Sequence, residues 1–130
     1  MAAFAAVGMA VLSGAASAGP VESDVKRNTP AGLWPILAYG EDDCASYPIR
    51  DLKITVQPRH GIAGFVKAPF TLDEATGLCK GTRIEVPWLV YKPAKDYVGS
   101  DTVSISWNKT SYTNDTHVTY MTKDFAITIK

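Results

Sequence analysis

The sequence predicts an all-β fold, a sandwich or a barrel of about seven short strands, behind a cleavable leader. Three observations carry that expectation. From residue 33 onward, apolar side chains recur at every second position. Clusters of Gly, Pro, Asn, Asp and Ser break the chain between those runs at regular intervals. No apolar pattern of period 3.6 survives past the first eighteen residues. A length of 130 residues suits one ordinary domain. With 46% hydrophobic residues the chain can bury a core, which excludes a disordered polypeptide. Thirteen basic and thirteen acidic residues exclude a domain-wide phosphate-binding field, so nucleic acid is not an expected partner.

Residues Met1 to Ala18 read MAAFAAVGMAVLSGAASA and carry no charged side chain. The apolar stretch Ala2 to Leu12 is too short for a bilayer-spanning helix, which needs about 20 residues. It ends in Ala16-Ser17-Ala18, a small-x-small pattern, so residues 1–18 are expected to be a secretory signal cleaved after Ala18. The absence of Lys or Arg leaves the α-amino group, or an upstream start, to supply the positive charge. Export to the periplasm or the exterior follows, with no membrane span left after cleavage. In that oxidising setting the two cysteines, Cys44 and Cys79, are expected to form a disulfide, worth about 3–4 kcal/mol in the chain-entropy model. Neither CxxC spacing nor a nearby His favours a metal site or a catalytic thiol.

Residues 19–32, polar and with two prolines, read as a loose N-terminal arm ahead of a domain over 33–130. Leu33 to Ala38 is a short apolar run that Pro35 restricts to a sheet edge. Tyr39 to Pro48 is a loop. Leu52, Ile54 and Val56 alternate with Lys53, Thr55 and Gln57, the pattern of a strand with one buried face. Pro58-Arg59-His60-Gly61 is a tight turn, and Ile62 to Lys67 returns as the hairpin partner. After a turn region over Asp73 to Gly81, Ile84, Val86, Trp88 and Val90 form the next face, with Pro87 bending it or holding it at an edge. Val103, Ile105 and Trp107 alternate with serines, and Asn108 to Asp115 is a polar loop. Val118 and Tyr120 mark one strand, and Phe125, Ile127 and Ile129 mark the last.

Two phrases carry a family resemblance. Val56-Gln57-Pro58-Arg59-His60-Gly61-Ile62 resembles the strand, Pro-x-His-Gly, strand hairpin of bacterial cadherin-like, immunoglobulin-like repeats. Tyr91-Lys92-Pro93-Ala94-Lys95-Asp96-Tyr97-Val98-Gly99-Ser100-Asp101 resembles their Tyr-x-Pro-x-x-x-aromatic-x-Gly-x-Asp motif, and Phe125 to Ile129 is similar to their last strand. The resemblance spans residues 52 to 130 and implies an immunoglobulin-like Greek-key β-sandwich. Val103 and Ile105 stand where the family usually has aromatics, and no Trp lies between the cysteines. The motif also has a physical reading of its own. Pro93 ends a strand by removing a donor, and Gly99 permits a backbone angle closed to other residues. Asp101 accepts backbone N–H groups at a corner, and Tyr97 covers the sandwich end while its hydroxyl seeks a backbone carbonyl. With Tyr91, these residues read as architecture.

Nothing in the chain matches G-x-S-x-G, H-E-x-x-H, a Walker loop or a dinucleotide fingerprint. His60 reads as a turn residue and His117 as the opening of a strand. Glu41-Asp42-Asp43 reads as a solvated loop, since it lacks the spacing of an EF-hand calcium loop. The triplets at Asn108 and Asn114 match the glycosylation acceptor pattern and are expected to stay unmodified. A candidate binding loop runs from Trp107 to Tyr120, where Trp107, Tyr112 and Tyr120 mix with small polar residues as on adaptable recognition surfaces. The expectation is therefore an exported, non-enzymatic module without cofactor or metal, with partners among envelope proteins or glycans. The alternative is a small secreted inhibitor or accessory subunit of an envelope hydrolase.

Overall fold

A computed structural model describes residues 19–40, 42–73, 77–110 and 118–130. The described residues are all-β. Seven strands run in the order β1 (Val21–Val25), β2 (Ala31–Pro35), β3 (Ile49–Val56), β4 (Gly61–Thr71), β5 (Arg83–Pro93), β6 (Gly99–Thr110) and β7 (Val118–Ile129). The helical content among them is one 3₁₀ turn at Gly77–Cys79. A four-stranded sheet has the order β1-β7-β6-β3, and a three-stranded sheet has the order β2-β5-β4. Every pairing is antiparallel except β1 with β7, which is parallel from Val21↔Phe125 to Val25↔Ile129.

The alternation read from the sequence builds the main core. Val103, Ile105 and Trp107 of β6 are buried, as are Phe125, Ile127 and Ile129 of β7. They face Ile36, Leu89 and Tyr91 from the other side of the sandwich, with Trp34 packed edge-on against Phe125. A second apolar cluster gathers Leu72, Cys79, Ile84 and Val86 with Leu37, Phe70 and Trp88. The Cys44–Cys79 disulfide forms and ties the two long loops over this second cluster.

The strand count agrees with the sequence reading, but two of its members differ. Residues 19–32 are not a loose arm: they hold β1 and the start of β2. Val21-Glu22-Ser23-Asp24-Val25 alternates, its two acids turn to water, and Val25 enters the core, so the open flank of β7 takes it as a ladder partner. Asn28 then clasps the β5–β6 turn. Its side-chain amide donates to Asp96 Oδ1 at 3.0 Å, and its oxygen accepts the Asp96 N–H at 2.7 Å. Both residues have positive φ, 61° and 63°, a conformation that Asn and Asp tolerate best among non-glycine residues. The two last predicted strands are one continuous strand, because Met121 and Lys123 carry the inward parity through a polar stretch. Val118 and Tyr120 consequently face water.

β5 uses both of its faces. Ile84, Val86 and Trp88 enter the second cluster, while Leu89 and Tyr91 enter the main core. The single face expected over Ile84 to Val90 thus covers only half of what the strand buries. Pro87 sits in the central strand of its sheet and not at an edge. Its carbonyl accepts the Ile36 N–H on the β2 side, and the N–H and C=O of one strand residue point the same way. The missing donor therefore faces past the last β2 pair, Pro35↔Trp88, and the β4–β5 ladder loses nothing. Val56, expected inward, is 48% exposed, beyond a register shift at the end of β3.

Candidate functional site

The motif residues converge at one end of the sandwich, where a single carboxylate joins three segments. Asp101, the third residue of β6, is 5% exposed. Its Oδ1 accepts the N–H of Arg59 and of Thr102, each at 2.9 Å. Its Oδ2 accepts the His60 N–H at 2.9 Å and the Tyr91 hydroxyl at 2.7 Å. The Pro58–Gly61 turn, the end of β5 and the start of β6 are thereby held on one side chain. The Tyr91 hydroxyl has one proton, which the 2.7 Å bond takes; the His60 carbonyl at 3.3 Å is the weaker contact.

These contacts set the ionisation of the pair. Burial works to raise the Asp101 carboxyl, but the Tyr91 hydroxyl and the amides of Arg59, His60 and Thr102 outweigh it and hold the group below the usual carboxylate range. Burial pushes the Tyr91 hydroxyl up, and the hydrogen bond to Asp101 and the charge of that carboxylate push it further. A proton thus stays on Tyr91 and off Asp101 across the neutral range.

Neighbouring residues fit around this tie. Tyr97 donates to the Ser100 carbonyl at 2.8 Å, and its ring stacks on His60 with centroids 4.1 Å apart and planes 4° apart. Gly99 has φ of 143°, and a Cβ there would lie 2.8 Å from the Tyr97 hydroxyl oxygen. A Cβ on Gly61 would meet the Lys92 carbonyl at 2.6 Å and the Tyr91 ring at 2.7 Å. Pro93 closes β5. Val56, Arg59, His60 and Tyr97 line an open hollow of about 530 Å³ in front of the carboxylate. The carboxylate's four donors nevertheless come from the protein itself.

The sequence grouped Asp101 with its own corner. The structure adds the donors from the distant Pro58–Gly61 turn and from Tyr91. Tyr91 and Asp101 open and close one motif phrase, while the link to the Pro58–Gly61 turn joins the two phrases, which no spacing within either could have shown.

Of the candidate binding trio, Trp107 and Tyr120 do not share an exposed surface. Trp107 is 3% exposed and packs at 5.9 Å from Trp34, while Tyr120 is 64% exposed on β7. Tyr112 lies outside the described residues, as do Glu41, Asn114 and His117. Asp43 accepts the Ala45 N–H at 3.0 Å, the bond of a local Asx turn. The Asn108 side chain donates to Asp51 at 2.8 Å. No group of three or more potential metal ligands occurs among the described residues, and no helix among them is long and apolar enough to cross a membrane. Neither a protein-family model, nor a curated protein, nor a solved structure matches this chain.

Proposed function

We propose that this chain is an exported immunoglobulin-like module, related to the bacterial cadherin-like repeats, that serves a binding or structural role among envelope proteins or glycans. The strand order supports the Greek-key reading: the first and last strands pair in parallel, and consecutive strands β2, β3, β4 and β5 alternate between sheets except at the β4–β5 hairpin. The disulfide supports an oxidising destination.

The observation that carries the non-enzymatic reading is the saturation of Asp101. A buried carboxylate beside a tyrosine and a histidine is the place to look for acid–base chemistry. Here the carboxylate is engaged by three amides and one hydroxyl, and its proton affinity is lowered. General acid catalysis near neutral pH calls for the opposite shift. The group acts as a strut.

Crosslinking the protein in envelope fractions, followed by mass spectrometry, tests this. The expected result is a defined envelope protein or glycan partner, and a processed chain that starts at Gly19 with both cysteines oxidised. Self-contacts alone, or stoichiometric inhibition in a panel of envelope hydrolases, would displace the proposal, the latter in favour of an inhibitor.

A further inference from the structure

The wall of the molecule is open between its two apolar clusters. Trp34 and Trp107 from the main core meet Leu37 and Phe70 from the second cluster there, with Pro35 and Met121, around a cleft of about 440 Å³. That size lies in the range of pockets that enclose a small organic molecule, about 300–1,000 Å³.

Its charge is one-sided. Lys109 lines the cleft, and the Lys123 ammonium lies 5.4 Å from the centroid of the Trp34 ring, which forms part of the wall. Both lysines are half-buried, and neither has an ion-pair partner among the described residues. No acidic side chain lines the cleft among those residues. The indole N–H of Trp107, a largely buried member of the wall, also meets no acceptor among the described residues. Among the described lining residues, the nitrogen-bearing side chains, Lys109 and the indoles of Trp34 and Trp107, are donors. An apolar slot flanked by two ammonium groups that meet no carboxylate among the described residues complements a molecule with an apolar body and an anionic head.

We propose that this cleft binds a monomeric, single-chain amphiphile with a carboxylate head, its chain against Trp34, Phe70 and Met121 and its head toward Lys109 and Lys123. This needs only the cleft and its two lysines, and it stands whether or not an envelope partner is found.

Titration of the protein with sodium decanoate below its micelle concentration, followed by tryptophan emission and by calorimetry, is the test. One-to-one saturable binding is expected. Decyltrimethylammonium, with a similar chain and a cationic head, is expected to bind at least tenfold more weakly. Lys109→Gln combined with Lys123→Gln should weaken decanoate binding tenfold or more. Met121→Trp, which fills the cleft from a half-buried position, should abolish it. Circular dichroism and melting of each variant check that the fold is kept, and the lysine pair, being half-exposed, gives a readout even if Met121→Trp unfolds. Absence of saturable binding, equal affinity for the two head groups, or undiminished decanoate affinity in the folded variants overturns the proposal. Recovery of the protein only on phosphatidylglycerol vesicles also overturns it, because the surface would then read a membrane and not a single molecule.

Discussion

Removing the Tyr91 hydroxyl would leave Asp101 with three amide donors in place of four partners. A hydrogen bond to a buried charged group is worth about 1.5–3 kcal/mol, and Tyr91→Phe should lower stability by that order. The pH dependence follows from the two shifts. Asp101 is held below its unfolded value, so its contribution is complete above the unfolded carboxylate pKa of about 4 and is lost as pH falls through the lower folded value. Tyr91 is shifted the other way. Its contribution is complete below the unfolded tyrosine pKa of about 10 and is lost as pH rises toward the folded value. Urea unfolding across pH should therefore show a decline at both extremes, and Tyr91→Phe should shallow both limbs. An unchanged acid limb in that variant would mean that the hydroxyl does not hold the carboxylate. At this scale the sequence was informative: Pro93, Tyr97, Gly99 and Asp101 do locally what their chemistry suggests. What stayed hidden was the long-range half of the tie, because Arg59 and His60 contribute backbone N–H groups and any residue but proline supplies one.

Among the elements, the disulfide divides the molecule into two stability regimes. It closes a span of 35 residues and packs on Leu72, Ile84 and Val86, away from the interface between the two sheets. Replacing Cys44 and Cys79 by Ala should cost about 3–4 kcal/mol. Loss of amide protection should appear first over residues 72–86 and last at Val103 to Trp107, read by hydrogen exchange. Uniform loss would show one cooperative unit and contradict the two-cluster description. The strands of the main core were legible because β6 and the end of β7 place large apolar side chains on one face and polar or small ones on the other. β5 was only half legible, since a strand that buries opposite faces along its length has no single periodic stripe to display. β1 carried a full alternation in Val21 to Val25, yet its charges and the nearby prolines suggested an arm; what makes it a strand is the vacant flank of β7, a tertiary fact.

For the whole molecule, the two sheets balance an apolar interior against a surface of zero net formal charge. The surface ion pair between Lys130 and Asp24, at 3.2 Å with both side chains largely exposed, adds little to that balance. The parallel pairing of the first strand with the last has a mechanical consequence. Val21 aligns with Phe125 and Val25 with Ile129, so the chain enters β1 at one end of the sandwich and leaves β7 at the other. Tension between those two points would run along the strands, loading the whole ladder in shear and not unzipping it one bond at a time. Single-molecule stretching between residues 20 and 130 should accordingly meet one high force peak. Pulling between residues 20 and 104, which lie at nearly the same level of the sheet on either side of β7, loads β1 crosswise and should yield at lower force.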